Sequence, residues 1–516
     1  MSVINILKKF AKIIWPIEFQ EMKLFMPMAL IIFCLLFNFG TLRAVKDSLV
    51  VPSVGAEVIS FLKLWLVLPS AIIFTVIYIK LSNIYSMENI FYMVVIFFLT
   101  FFILFAFIIY PNEVLLHPSE ELIKEIIYNY PHLQWIIMIC GKWSYAVMYI
   151  ICELWSVIVI NLMYWQFANN MFNIEDAKRF YPALGMVGNL GLIVAGNILI
   201  SCASASGISD IFTIDSSCTK NSETIFQHII IVVTFSGIIA MITFKYLNNL
   251  ILSKTTIMHS KNNLITNFKL YNYSRTKLSL NDSIKLILKS KYISCIAVMV
   301  ICYGLAINIL EGPWKAQIKE LYPTTQEYIT FMGRFNVVMG ITCVLFMGIS
   351  SSILHKFNWL FPAIITPLII GITGIIFFLL IIAGESKSII FSSISYNPIY
   401  LAVLVGALQN ILSKSSKYSL FDATKEIAYI PLDIETKIKG KAAVEVVGVK
   451  LGKSGGAFIQ FLILTLYPES TISSISTVLI KVFIVVILIW LIDVVSLYHK
   501  YNDLQKLRGK RCEEYI

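Results

Sequence analysis

Charge is what this chain has least of. Asp, Glu, Lys and Arg make up 14% of its 516 residues while 58% are hydrophobic, against roughly a quarter charged in soluble domains, so a water-facing globule is excluded. The nine cysteines stand at 34, 140, 152, 202, 218, 295, 302, 343 and 512 with no C-x-x-C, a scatter that fits small packing residues. Six histidines include no pair at i, i+4, so no metal site and no cofactor is expected. The period-2 alternation of a membrane barrel is missing too. So is the interfacial His, Cys or carboxylate cluster that a membrane enzyme needs, and nothing resembles a channel filter loop. The chain is not read as an enzyme.

What is there is apolar and long. Runs lie at 24–42, 58–79, 89–110, 135–163, 184–202, 226–246, 292–310, 328–352, 358–384, 398–413, 442–466 and 473–497, most of them able to cross about 30 Å of hydrocarbon as helices. In lipid the backbone must satisfy its own hydrogen bonds, so the class expected is an all-α polytopic membrane protein of about twelve helices. The first run follows Lys8, Lys9, Lys12 and Lys23 and ends without a small-x-small cleavage site, which reads as a retained helix.

The net charge of +11 would suggest nucleic acid in a soluble chain. Its placement gives a different reading, with no nucleic-acid partner. With the N-terminus inside, the tails and loops on that side hold 27 Lys and Arg and the opposite loops 7. That bias predicts both termini in the cytoplasm.

The polar stretch near 247–291 divides the runs six and six. The expected organisation is a 1–23 cytoplasmic N-tail, a 24–246 half, a basic 247–291 cytoplasmic linker, a 292–497 half and a 498–516 cytoplasmic C-tail. The halves echo each other. Asn38 with Arg43 and Lys46 in the first run is matched by Asn308 with Glu311 and Lys315 in the seventh; Tyr164-Trp-Gln-Phe-Ala by Tyr418-Ser-Leu-Phe-Asp; Val187-Gly-Asn-Leu-Gly by Leu451-Gly-Lys-Ser-Gly. Parallel six-helix repeats place a binding site between the halves near the midplane.

An ionisable group at the bilayer centre costs about 2.5–3.5 kcal/mol, so such residues are the site candidates. Arg43 and Lys46 are i, i+3 at the end of the first run, placed either to meet an anion or to snorkel to headgroups or pair with Asp47. Lys142 and Glu153, eleven residues apart with Tyr149 between them, fall on one stripe of a continuous fourth helix. Glu311 and Lys315 are either an intrahelical pair or, with Pro313 between them, part of an irregular cavity-lining segment. Lys453 sits among glycines in Leu451-Gly-Lys-Ser-Gly-Gly456. The spacing from Gly448 is one short of a Walker loop, so helix packing accounts for the glycines and leaves the lysine as a point charge for phosphate. Lys437-Ile-Lys-Gly-Lys441 reads as ordinary cytoplasmic charge.

Thr41-Leu-Arg-x-x-Lys-Asp47, Gly55-Ala-Glu-Val-Ile-Ser-Phe-Leu-Lys63, the run from Lys417 to Asp433, Gly440-Lys-Ala-Ala-Val-Glu and Leu451-Gly-Lys-Ser-Gly-Gly456 together resemble the ATP:ADP translocases of obligate intracellular bacteria and plastids. The rickettsial members are the most similar. The resemblance covers nearly the whole chain and implies a fold like that of the major facilitators. It also implies exchange of external ATP for internal ADP and phosphate across a bacterial inner membrane, and functional charges at Lys46, Glu153, Glu311 and Lys453. On that basis Lys46 and Lys453 grip the phosphates with Arg43 and Lys315 assisting. Glu153 and Glu311 pair the lysines in the empty carrier or contact base and ribose, and aromatics near Tyr149 stack the base. The alternative within transport is import of other nucleotides, by exchange or with protons. The P-x-[DE]-x-x-[KR] repeats of mitochondrial carriers are absent.

Overall fold

The computed structural model describes residues 17, 19, 21–82, 84–172, 174–203, 222–258, 285, 287–385, 397–432 and 434–513. Every regular element among them is helical. Among the described residues, eleven helices are long and apolar enough to cross a membrane. They begin with α1 (Met22–Ser53), α2 (Val58–Ser82), α3 (Met87–Ile109), α4 (Trp143–Asn169), α5 (Arg179–Ala203) and α6 (Ser222–Leu250). After these come α7 (Lys291–Leu321), α8 (Thr325–Ser350) and α9 (Leu360–Gly384). The tenth expected helix is present as α10 (Pro398–Ser416) and packs on α7, α8 and α9, but Gln409, Asn410 and Lys414 dilute its apolarity. The last two are α11 (Val449–Leu466) and α12 (Ser476–Lys506).

Helix starts carry the expected chemistry. Ser290 accepts from the Ile293 N–H, Thr324 and Glu327 form a reciprocal capping box, and Asn397 caps a helix whose first residue is Pro398. Each satisfies backbone donors that a helix cannot pair itself. Side chains such as Phe235 and Ile242 on α6 and Ile492 on α12 are more than half exposed, as a lipid-facing surface requires.

The six-plus-six pattern is written in the packing. α1 lies against α4, α5 and α6, and α7 lies against α10, α11 and α12. The groups meet along two matching seams, α5 on α8 and α2 on α11. In the first, a Cβ on Gly196 would collide with the Gly333 carbonyl oxygen, so the helices touch at backbone distance. Widened turns with i→i+5 bonding fall at Ser156–Tyr164 in the first group and Lys417–Phe421 in the second, bracketing the echoed Tyr164 and Tyr418.

Several boundaries differ from the hydropathy reading. The sixth helix continues past 247 to Met258 and the last past 497 to Glu513, so polar residues of the expected linker and tail extend both helices. Most of the expected N-tail and linker lies outside the described residues. α1 continues to Ser53, and the tenth helix runs through 398–428. The fourth run is broken: Lys142, at φ −115° and ψ 47°, separates Gln134–Gly141 from the helix beginning at Trp143.

The α1–α2, α7–α8 and α11–α12 turns share one end of the bundle, and bonds between the two groups concentrate there. The Gln134 amide donates to the Pro468 carbonyl, Ile472 N donates to Glu57 Oε1 at 3.1 Å, and the Gln326 amide donates to Ala203 O at 2.6 Å. Phe61 and Phe461 meet edge to face, with centroids 4.9 Å apart. Gly55 turns the chain there at φ 129°, a conformation that suits only glycine well. This is the closed end of the bundle.

Candidate functional site

Just inside the closed end the charges of α1, α2, α4 and α7 converge. Lys46 Nζ lies 3.0 Å from Glu153 Oε1 and 2.8 Å from Asp47 Oδ1. Lys315 Nζ reaches Asp47 at 2.9 Å and Glu311 at 3.1 Å. Glu311 also receives Lys63 at 2.7 Å and Arg43 at 3.6 Å, and Lys63 donates to Asn308 Oδ1 at 3.0 Å. Asp47 and Lys315 have no accessible side-chain surface, whereas Glu153 retains 27%. Four cations thus share three carboxylates, the pairing that keeps buried charges tolerable and leaves the cluster net positive.

Arg43 and Lys46 therefore do not snorkel: α1 continues past them and the second group covers them. Tyr149 is fully buried and carries the Lys46 ammonium 3.9 Å from its ring centroid. It is a cation–π platform for that lysine, and its ring face is occupied. Pro313 does not make the seventh helix irregular. Its missing N–H would have bonded the Ile309 carbonyl. Gln460 of α11 fills that place, donating to Ile309 O at 3.3 Å and Asn308 O at 2.8 Å.

Lys453 is accessible, and the charges acting on it are Glu153, Lys417, Lys63 and Glu311, so its accessible surface faces the bundle interior. The neighbouring glycines pack helices: a Cβ on Gly304 of α7 would stand 2.7 Å from the Gly452 Cα. Lys417, one of the charges acting on Lys453, pairs with Asp422 at 2.8 Å and lies 4.6 Å from the ring centroid of the exposed Tyr418. Lys142 is not brought in. It lies beside His117, whose Nε2 is 2.8 Å from Ser144 Oγ. Lys441 pairs with Glu426 at 2.8 Å.

Asp47, Lys63, Lys414 and Lys417 are the charges that sequence reasoning left out of the site. Asp47 and Lys63 were visible inside the quoted motifs. Lys414 and Lys417 were counted as loop charge because the apolar run ends at 413. Moving them inside, along with Arg43, Lys46 and Lys315 from the opposite side, removes two residues from the basic side of the topology count and three from the other, so the bias sharpens.

Two matched six-helix groups joined by buried charge and closed at one end define a membrane transporter. A solved D-xylose–proton symporter shares the fold, with a TM-score of 0.51 and 11% identity over 90% of this chain and 96% of the symporter. Residues 2–501 match the family model described as TLC ATP/ADP transporter, and the chain belongs to that family. It is 53% identical over 504 residues to ADP,ATP carrier protein 3 of Rickettsia bellii, covering 97% of this chain and 98% of the relative. It is 54% identical over 501 residues to the Rickettsia typhi protein of the same name, with the same coverage.

Proposed function

We propose that this chain exchanges external ATP for internal ADP across a bacterial inner membrane by alternating access, with both termini in the cytoplasm. Family membership supports the nucleotide, and the Lys and Arg bias supports the orientation. The observation that carries the mechanism is the buried Lys46–Asp47–Lys315–Glu311 chain of charge, which ties α1 to α7 at the closed end. In this orientation the closed end faces outward and the approach past Lys453 opens inward.

A nucleoside triphosphate brings about four negative charges, and stripping their water is costly unless cations replace it. Lys453, accessible and without a carboxylate within bonding distance among the described residues, takes the phosphates first. Lys46 follows by exchanging Glu153 for a phosphate oxygen, with Arg43 and Lys315 adding charge behind it. Glu153 and Glu311 hold these cations while the carrier is empty. Phosphate charge that draws on Arg43 and Lys315 competes with their pairs to Glu311 and Asp47 across the two groups, which couples loading to reorientation. Tyr418 also carries a lysine, Lys417, on its ring, but it is exposed where Tyr149 is fully buried, and is the better placed of the two to stack the base.

Purified protein in liposomes loaded with labelled ADP tests the reading. ADP release is expected only when ATP is present outside, unaffected by a protonophore, with other nucleotides and phosphate competing poorly. Release without external nucleotide, or uptake collapsed by the protonophore, replaces exchange with import. Normal uptake by both Lys46→Met and Lys453→Met removes the assignment of the phosphate grip.

A further inference from the structure

One ammonium near the cluster has no partner. Lys414, on α10, has its Nζ buried without a hydrogen-bond acceptor. It lies 5.6 Å from the centroid of the Phe335 ring, and the Arg43 guanidinium carbon lies 5.8 Å from the same centroid. The charges acting on Lys414 are Arg43, Glu311, Lys315 and Asp47. All three carboxylates of the cluster are already engaged: Asp47 between Lys46 and Lys315, Glu153 with Lys46, and Glu311 among Lys63, Arg43 and Lys315.

A buried cation without an anion is destabilising, and an aromatic face offsets only part of that. Methionine in the same space would carry no such penalty. The position makes physical sense if an anion joins it during part of the cycle. Lysine is suited to this, because its four-carbon stem can swing a point charge from the Phe335 face toward Lys417, one turn along the same helix.

We infer that Lys414 is a ligand of the transported polyanion, a phosphate-binding lysine contributed by the second group in addition to Lys453. The identity of the polyanion as a nucleotide rests on the function proposed above; the demand for an anion rests on the cluster itself. The contribution should grow with the number of phosphates, so Lys414 would distinguish tri- and diphosphates from a monophosphate.

Ligand-dependent shifts in the melting temperature of the detergent-solubilised full chain measure this, using wild type, Lys414→Met and Lys414→Arg with ATP, ADP, AMP and inorganic tripolyphosphate. Lys414→Met is expected to be at least as stable as wild type without ligand, to bind ATP and tripolyphosphate about tenfold more weakly or worse, and to bind AMP almost unchanged. Lys414→Arg should recover most of the affinity. The inference is overturned by Lys414→Met binding ATP and tripolyphosphate as tightly as wild type, by an equal loss for AMP, or by a ligand-free variant less stable than wild type, which would reveal a structural partner. A wild type that binds tripolyphosphate but no nucleotide defeats the proposed function, and the tripolyphosphate titration of the variants then decides Lys414 separately. A wild type that binds neither defeats both.

Discussion

Asp47 and Lys315 are 268 residues apart in the chain and 2.9 Å apart in space, joining α1 to α7 with both side chains fully buried. Neither helix could hold its charge alone at that depth. Asp47→Asn keeps the shape but leaves Lys46 and Lys315 with one carboxylate fewer, so a loss of about 3 kcal/mol is expected, in the range for breaking one side of a buried pair. Lys315→Met should cost a similar amount. The double variant should be more stable than the sum of the singles implies, by about 1–3 kcal/mol, because no orphaned charge remains. Unfolding of the four proteins in detergent closes the cycle, and strict additivity would show that the contact carries no coupling.

A second dependence links Pro313 to Gln460. The Gln460 amide occupies the Ile309 carbonyl that proline leaves free, and it packs close on Gly312, where a Cβ would stand 2.7 Å from Gln460 Oε1. Gln460→Leu should destabilise by about 1–3 kcal/mol by orphaning buried carbonyls. Adding Pro313→Ala restores an N–H for Ile309 O and should recover part of that loss. No recovery in the thermal unfolding of the double variant would mean that the helix does not repair itself once proline is gone.

How much of this was legible depended on where charge sat relative to the apolar runs. Glu153, Glu311, Lys315, Arg43 and Lys46 stood out because each interrupts or ends a hydrophobic stretch, and the structure gathers all five. Lys414 was obscured by the same logic: hydropathy ends a helix where polar residues begin, whereas packing across the bundle lets α1 run to Ser53 and the tenth helix through 398–428. Helical spacing between Lys142 and Glu153 assumed an unbroken helix, and the break at Lys142 voids it. Proline pointed to irregularity at 313 because the partner that compensates for it, Gln460, is 147 positions further along and invisible to local reading.

Glycine in α11 is required by contact with α7. A Cβ on Gly452 would lie 2.9 Å from the Ile301 carbonyl oxygen and 3.0 Å from the Gly304 Cα, backbone atoms that cannot rotate away. Gly452→Ala should push the two helices apart, displace Lys453 and sharply reduce uptake at normal membrane insertion. Gly348 in α8 has nothing within 4 Å of its Cβ direction, so Gly348→Ala should leave uptake intact and add up to about 1 kcal/mol of helix stability. Equal effects from the two substitutions would refute the packing argument.

Lys142 stands apart from the interior cluster and makes none of its ion pairs. It stands at the helix break beside His117, whose Nε2 meets Ser144 while its Nδ1 is buried without a partner. Burial, and then the Lys142 charge, hold the His117 imidazole below its ordinary value of 6.5, with Glu113 acting the other way. A base with a depressed folded pKa binds fewer protons folded than unfolded, so stability falls as the pH drops from 6.5 toward the lower folded value. Lys142→Gln removes one of the two depressing influences and should make that decline shallower, while His117→Asn should remove His117's share of it. Because Lys142 lies outside the cluster, Lys142→Gln should also leave the KM for nucleotide uptake at its wild-type value, where Lys46→Met raises it or abolishes uptake. Melting temperatures across the acid range and uptake kinetics read the two halves of this prediction separately. A Lys142→Gln variant with impaired nucleotide affinity would return that lysine to the transport path.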